Sequence, residues 1–178
     1  MVKSRQVYQT WSLIGLIILS LASCDQILPR MTGYKNYTHP SLRFQVHYPA
    51  KWTLIEGGSF GTQVQFLSDS PSIFLANANI AVNRNPNLSL EALADLSAKQ
   101  LTILLPNYEL ETKAIGTLGK HKAVDLRGVY DAAEGKRKIR SVIAIINEMQ
   151  YVFTFTCEAQ DEHSYAKTIN KMIDSFSL

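Results

Sequence analysis

Alternation of apolar and polar residues with a period of two runs through most of this chain, and it constrains the fold more than any other feature. Leu42-Arg43-Phe44-Gln45-Val46-His47-Tyr48 sets Leu42, Phe44, Val46 and Tyr48 on one side and Arg43, Gln45 and His47 on the other. That pattern predicts a half-buried strand, ended by Pro49, which has no amide proton for a ladder. Trp52-Thr53-Leu54-Ile55 begins the return, Gly57-Gly58-Ser59 supplies a turn, and Phe60 to Leu67 and Ile73 to Asn83 read as two further strands. After a helix come strands over Glu109 to Ile115, His121 to Tyr130, Ile139 to Asn147 and Tyr151 to Glu158, with turns at Glu134-Gly135 and at Asn147 to Gln150.

Two segments change period. Ser89 is a good N-cap, Leu88 can staple against Leu93, and Leu90, Leu93, Ala94, Leu101 and Leu104 make one helical stripe that Pro106 stops. A last helix follows Asp161, with Tyr165, Ile169, Met172, Ile173 and Phe176 on one face. The order is ββββ-α-ββββ-α. Short links favour an antiparallel sheet, and both helical stripes need a sheet to cover them. The expectation is therefore an α+β fold, with an antiparallel sheet of about six or more strands flanked by helices around a single core.

The N-terminus falls outside that domain. Lys3 and Arg5 precede an apolar run from Trp11 to Leu21, about half the ~20 residues that span a bilayer. This is the pattern of an export signal. Leu21-Ala22-Ser23-Cys24 has the form of a bacterial lipobox, so cleavage before Cys24 and lipidation of its thiol are expected. Acyl chains contribute about 0.8 kcal/mol per buried CH₂, and stable anchoring takes two signals. Asp25 resembles the inner-membrane retention signal of enteric bacteria. The expected organisation is a signal peptide over 1–23, the lipidated cysteine and a polar tether over 24–38, and a globular domain over 39–178. Cleavage leaves 16 of the 18 basic residues against all 15 acidic ones, a balance that does not point to nucleic acid. With Cys24 acylated, Cys157 has no disulfide partner and reads as a small buried hydrophobe beside Phe155 and Phe153.

Few residues suggest chemistry. Gly57-Gly58-Ser59-Phe60-Gly61 matches G-x-S-x-G, but a nucleophile elbow needs a strand before it and a helix after it, and the residues that follow alternate as a strand. The pattern reads as a turn, which leaves a hydrolase using Ser59 as a remote alternative. His39, His47, His121 and His163 lack metal-like spacing. Asn77, Asn79 and Asn83 belong to the polar side of a strand, and Asn85 and Asn87 lead into the helix cap. Lys136, Arg137, Lys138 and Arg140 crowd one hairpin, either as a solvated loop or as a contact for anionic lipid or an acidic partner.

The lipobox, the tether and Leu42 to Trp52, with its Tyr48-Pro49-Ala50-Lys51-Trp52 element, resemble the opening of PsbP-like proteins, particularly their cyanobacterial lipoprotein members. The middle helix, the aromatic strand Tyr151 to Phe155 and the final helix ending near Ser175-Phe176 are similar too, so the resemblance covers residues 37–178. It implies an αβα sandwich and a non-enzymatic extrinsic accessory of photosystem II, held on the thylakoid-lumen or periplasmic side of a membrane, with the basic hairpin and strand edges as contact surfaces. It also implies calcium or zinc as cofactors of relatives, with no ligand transferable to a position here. The absence of a long basic N-terminal segment like that of the plant proteins argues against direct ion retention. The alternative is a general envelope lipoprotein of the same fold without a photosynthetic role, serving transport or stress response.

Overall fold

The computed structural model describes residues 33–70, 74–85 and 87–178. The lipobox, Cys24 and the first part of the expected tether lie outside the described residues, as does Ile73.

Nine strands and two helices are present among the described residues. Strands β1 (Tyr34–Thr38) and β2 (Gln45–Pro49) form an antiparallel ribbon. Seven more make one antiparallel sheet: β3 (Thr53–Glu56), β4 (Thr62–Leu67), β5 (Asn77–Arg84), β6 (Glu109–Leu118), β7 (His121–Ala132), β8 (Gly135–Ile146) and β9 (Met149–Glu158). Their spatial order is β3-β4-β5-β9-β8-β7-β6. Helix α1 (Leu90–Leu104) packs on β7 and β8 and carries the chain from β5 to the far edge, where β6 begins a meander that returns to β5. Helix α2 (Glu162–Asp174) follows one turn of 3₁₀ helix and covers the opposite face. The result is the α+β sandwich expected from the periodicity.

The two faces are unequal. The α2 face holds the main core: Val64, Phe66, Ala78 and Ile80 from one half of the sheet, Val142, Phe153 and Cys157 from the other, and Ile169, Met172 and Ile173 from α2. The β1–β2 ribbon adds Tyr37, Val46 and Tyr48, and Phe44 just before β2 has no exposed surface. The α1 face has a smaller cluster of Leu93, Ala94, Val124, Leu126 and Ile143, with Leu88 against it as the staple requires. The Ser89 hydroxyl accepts from the Ala92 amide at 3.1 Å and caps α1.

The Tyr-Pro-x-x-Trp element gains a physical reason. The Trp52 amide donates to the Pro49 carbonyl at 2.9 Å, closing a turn that ends β2. Trp52 is thereby buried edge-on to Tyr165 of α2, with ring centroids 6.0 Å apart. The C-terminus is tied back as well: Gln45 and Ser177 exchange backbone hydrogen bonds at 2.8 and 3.1 Å, and the Gly119 amide donates to the Ile173 carbonyl at 2.8 Å. Gly119 has φ +56°, and a Cβ there would lie 1.8 Å from the Phe176 carbonyl oxygen, so only glycine fits.

Several boundaries differ from the sequence reading. Tyr34–Thr38, read as the end of the tether, is a strand, because its hydrogen-bonding partner β2 lies one turn further along the chain. Leu42 and Arg43 precede β2 rather than belonging to it: Arg43 has φ +62° in a loop closed by His39, whose backbone amide donates to the Phe44 carbonyl at 2.9 Å. Phe60 is not in β4 but at the tip of the β3–β4 turn, with φ +55°. Leu104 ends the predicted stripe of α1 yet is 73% exposed, because α1 packs on β7 and β8 and its last turns run past them.

Replacing Phe44 by Ala should cost about 3–5 kcal/mol of stability, whereas Leu104→Ala should change it by no more than about 0.5 kcal/mol. Urea unfolding followed by tryptophan fluorescence checks both.

Candidate functional site

The basic residues singled out in the sequence lie in strand β8 rather than in a loop. The β7–β8 ladder continues to Ala132 opposite Gly135, so only two residues form the turn. Alternation then sends their side chains to opposite faces. Arg137 points to the α1 face and is buried, its guanidinium 4.1 Å above the Phe74 ring and 3.4 Å from both Glu134 and Glu158. Lys138 and Arg140 point to the α2 face. Lys138 pairs with Glu111, at a bulge in β6, and with Glu162 of α2 at 3.6 Å. Lys136 alone of the four is well exposed, 3.7 Å from Asp131.

Arg140 belongs to a polar island within the apolar α2 face. Its Nε donates to both carboxylate oxygens of Asp125 at 3.1 Å, its Nη2 donates to Asp125 Oδ2 at 2.9 Å, and its Nη1 donates to Asn170 Oδ1 at 2.7 Å. Arg127 Nη2 donates to the same Asp125 oxygen at 2.9 Å. One buried carboxylate thus organises two guanidiniums, and Asn170 extends the network to α2. Burial alone would raise the pKa of Asp125, but the hydrogen bonds and charges of Arg127 and Arg140 outweigh it and hold the group below the usual carboxylate range. Sequence reasoning missed Asp125 because β7 reads as a mostly apolar strand, Arg140 lies 15 residues downstream of it and the Asn170 that engages Arg140 lies a further 30; a lone acid amid Val124 and Leu126 was the available signal. Beside the island is a cavity of about 40 Å³ lined by Arg127, Lys138, Arg140, Phe155, Glu162 and Ile169. That is room for water, not for an organic substrate. The network joins sheet to helix and has no unpaired group poised for proton transfer.

The other chemical candidates stay apart. Ser59 is exposed in the β3–β4 turn, where its carbonyl accepts from the Thr62 amide at 3.1 Å, and a strand rather than a helix follows. The nucleophile elbow is not built. His39 accepts the Leu42 amide at 3.0 Å, His47 lies in β2, His121 opens β7 and His163 sits in the first turn of α2. Among the described residues no three His, Cys, Asp or Glu side chains are grouped to hold a metal ion. Cys157 has no exposed surface, and burial together with the nearby Glu162 and Asp161 pushes its thiol up to about 12. It is inert packing, as its position among the phenylalanines suggested. Asn77 and Asn79 lie on the polar side of β5, and Asn85 caps the approach to α1 through Leu88.

One exposed feature stands out. Phe60 is 97% exposed, and with Gln100, Ile103 and Leu104 of α1 it lines an open, mainly apolar hollow of about 470 Å³. Aromatic and aliphatic groups left in water in this way mark interaction surfaces. No helix among the described residues is long and apolar enough to cross a membrane.

No family model matches the sequence, and no curated protein matches it. Solved structures do. The solution structure of cyanobacterial PsbP (CyanoP) from Synechocystis sp. PCC 6803 superposes with a TM-score of 0.65 at 13% identity, covering 89% of this chain and 98% of that one. The chain has the PsbP-like fold. LpqN of Mycobacterium tuberculosis, a protein involved in cell envelope biogenesis, matches this PsbP-like domain at a TM-score of 0.63 and 13% identity over 81% of this chain and 89% of its own. A protein from Bacteroides thetaiotaomicron matches at 0.58 and 16% identity, over 82% of this chain and 48% of its own. Below 20% identity, what is shared is the arrangement of helices and sheet.

Asp125 is more acidic in the folded protein than in the unfolded chain. It therefore contributes stability above the unfolded carboxylate pKa of about 4, and that contribution is lost as pH falls through the lower folded value. Asp125→Asn should cost about 2 kcal/mol near neutral pH, with the difference from wild type shrinking as pH falls below the unfolded carboxylate value. Urea midpoints measured across that range check it. The Cys157 thiol should react with iodoacetamide only when the domain is unfolded.

Proposed function

We propose that the protein is a lipid-anchored, non-enzymatic accessory factor that binds a membrane protein complex, and that the complex is photosystem II. The observation that carries this reading is the PsbP-like fold, shared with CyanoP over nearly the full length of that protein. The lipobox supports it. Nine residues separate Cys24 from Tyr34, a contour of about 30 Å that would keep the domain beside the membrane and its protein complexes. A polar island satisfied internally and a buried, inert cysteine suit a binding module better than a catalyst.

For the contact surface we favour the hollow at Phe60, Ile103 and Leu104. Interfaces draw most of their affinity from a few aromatic and apolar anchors, and Phe60 is held outward by a turn rather than by packing. The basic hairpin contributes Lys136 at most, since Arg137, Lys138 and Arg140 are committed to carboxylates within the domain. A second reading draws on LpqN: the same anchored fold serving a bacterial envelope without photosynthesis.

Crosslinking from native membranes, with a Cys24→Ala control, separates the two. Photosystem subunits enriched with the lipidated protein and lost in the control are expected. Envelope proteins in their place favour the second reading. Phe60→Ser should weaken partner recovery at least ~10-fold while leaving the unfolding midpoint unchanged; unaltered recovery would rule out the hollow as the contact.

A further inference from the structure

The two edges of the seven-stranded sheet differ sharply. The β3 edge is four residues long, whereas β6 runs for ten and is exposed from Glu109 to Ile115. Among the described residues nothing hydrogen-bonds to the outer side of β6. Such an edge is a template for another strand unless a bulge, a proline or charged side chains, lysine above all, block it; Lys113, the one lysine of β6, is drawn to Asp95 of α1. The bulge in β6 lies between Leu110 and Thr112 and disrupts only its first part. The regular remainder is Thr112-Lys113-Ala114-Ile115-Gly116-Thr117-Leu118, and at its midpoint Ile115 is 64% exposed.

We propose that β6 is a self-association edge, through which two copies pair antiparallel about a two-fold axis at Ile115 and join their sheets into one. That register sets Ile115 against its own copy, Ala114 against Gly116 and Lys113 against Thr117, so no like charges meet. Ile115 shares the α1 face with Val124, and the contact extends the small cluster under α1. Charge favours the same orientation. The edge begins with Glu109 and Glu111 and ends in a turn carrying Lys120 and then Lys122, and antiparallel pairing lays the acidic end of each copy beside the basic turn of the other. Glu109 and Lys120 have no ion-pair partner within the chain among the described residues. An isologous contact of this kind closes at two copies and leaves no β6 edge for a third. The pairing is independent of whichever membrane complex the protein binds.

Cysteine crosslinking of the full-length protein in its own membrane tests the register. Cβ atoms directly opposite in antiparallel strands lie about 4.5–5.5 Å apart, so Ile115→Cys should form a disulfide-linked dimer under mild oxidation. The unsubstituted protein, which controls for Cys24 and Cys157, and Ile55→Cys at the β3 edge should not. Lys113→Cys and Thr117→Cys should crosslink when co-expressed and not singly. Lys120→Glu should reduce the Ile115→Cys dimer several-fold, and adding Glu109→Lys to the same chain should restore it. A monomeric Ile115→Cys protein, equal crosslinking at Ile55, or a disulfide to a different protein would each overturn the proposal. Circular dichroism identical to the parent confirms that every variant is folded.

Discussion

The aromatic layer on the α2 face is the constraint on which the rest of this molecule depends. Phe44 stacks on Phe176 at 5.8 Å and lies edge-on to Tyr151 at 6.2 Å, while Tyr37 and Tyr48 close on Phe66 at 6.1 and 4.8 Å. Those rings come from the start of the domain, both halves of the sheet and the extreme C-terminus. Aromatic pairs add about 0.5–1.5 kcal/mol each beyond the surface they bury, but the larger effect is topological. The layer gives the β1–β2 ribbon and α2 a common apolar surface. The hydrogen bonds between Gln45 and Ser177 and from Gly119 to Ile173 then fix the layer in one arrangement.

Once that face is filled, the opposite one is left lightly covered. Helix α1 spans β7 and β8 but not the strands beyond them, so its outer residues and the tip of the β3–β4 turn remain in water. A domain that concentrates its packing on one side of a sheet can vary the other side at little cost in stability. This gives a physical basis for proteins below 20% identity to share the fold. The polar island around Asp125 follows a different logic. It lies where α2 meets β7 and β8 and is fully engaged, so it fixes the position of the helix, since breaking such a network strands a charge at a buried site.

The PsbP-like architecture was largely legible in the sequence. Period-two alternation identified eight of the nine strands, and the two stripes identified both helices, including the Ser89 cap and the face of α2. What escaped was decided at a distance. Tyr34–Thr38 looks like linker because Lys35, Asn36 and Thr38 are polar and its partner strand cannot be read locally. Phe60 looks like part of a strand because its hydrophobicity says nothing about a left-handed turn. The basic run from Lys136 looks like a surface loop, because pairing with Glu111, Asp125, Glu158 and Glu162 requires β6, β7, β9 and α2 to converge on β8.

The sequence by itself determined the local periodicities, the caps and turns, and the strand that follows Ser59 in place of a helix, because each depends on residues a few positions apart. Only the tertiary structure decided which charges are neutralised, which edge of the sheet stays open, and that Phe60, Ile103 and Leu104 share a hollow. Those outcomes depend on strand order, and strand order is set by the burial of the whole aromatic layer rather than by any short segment of the chain.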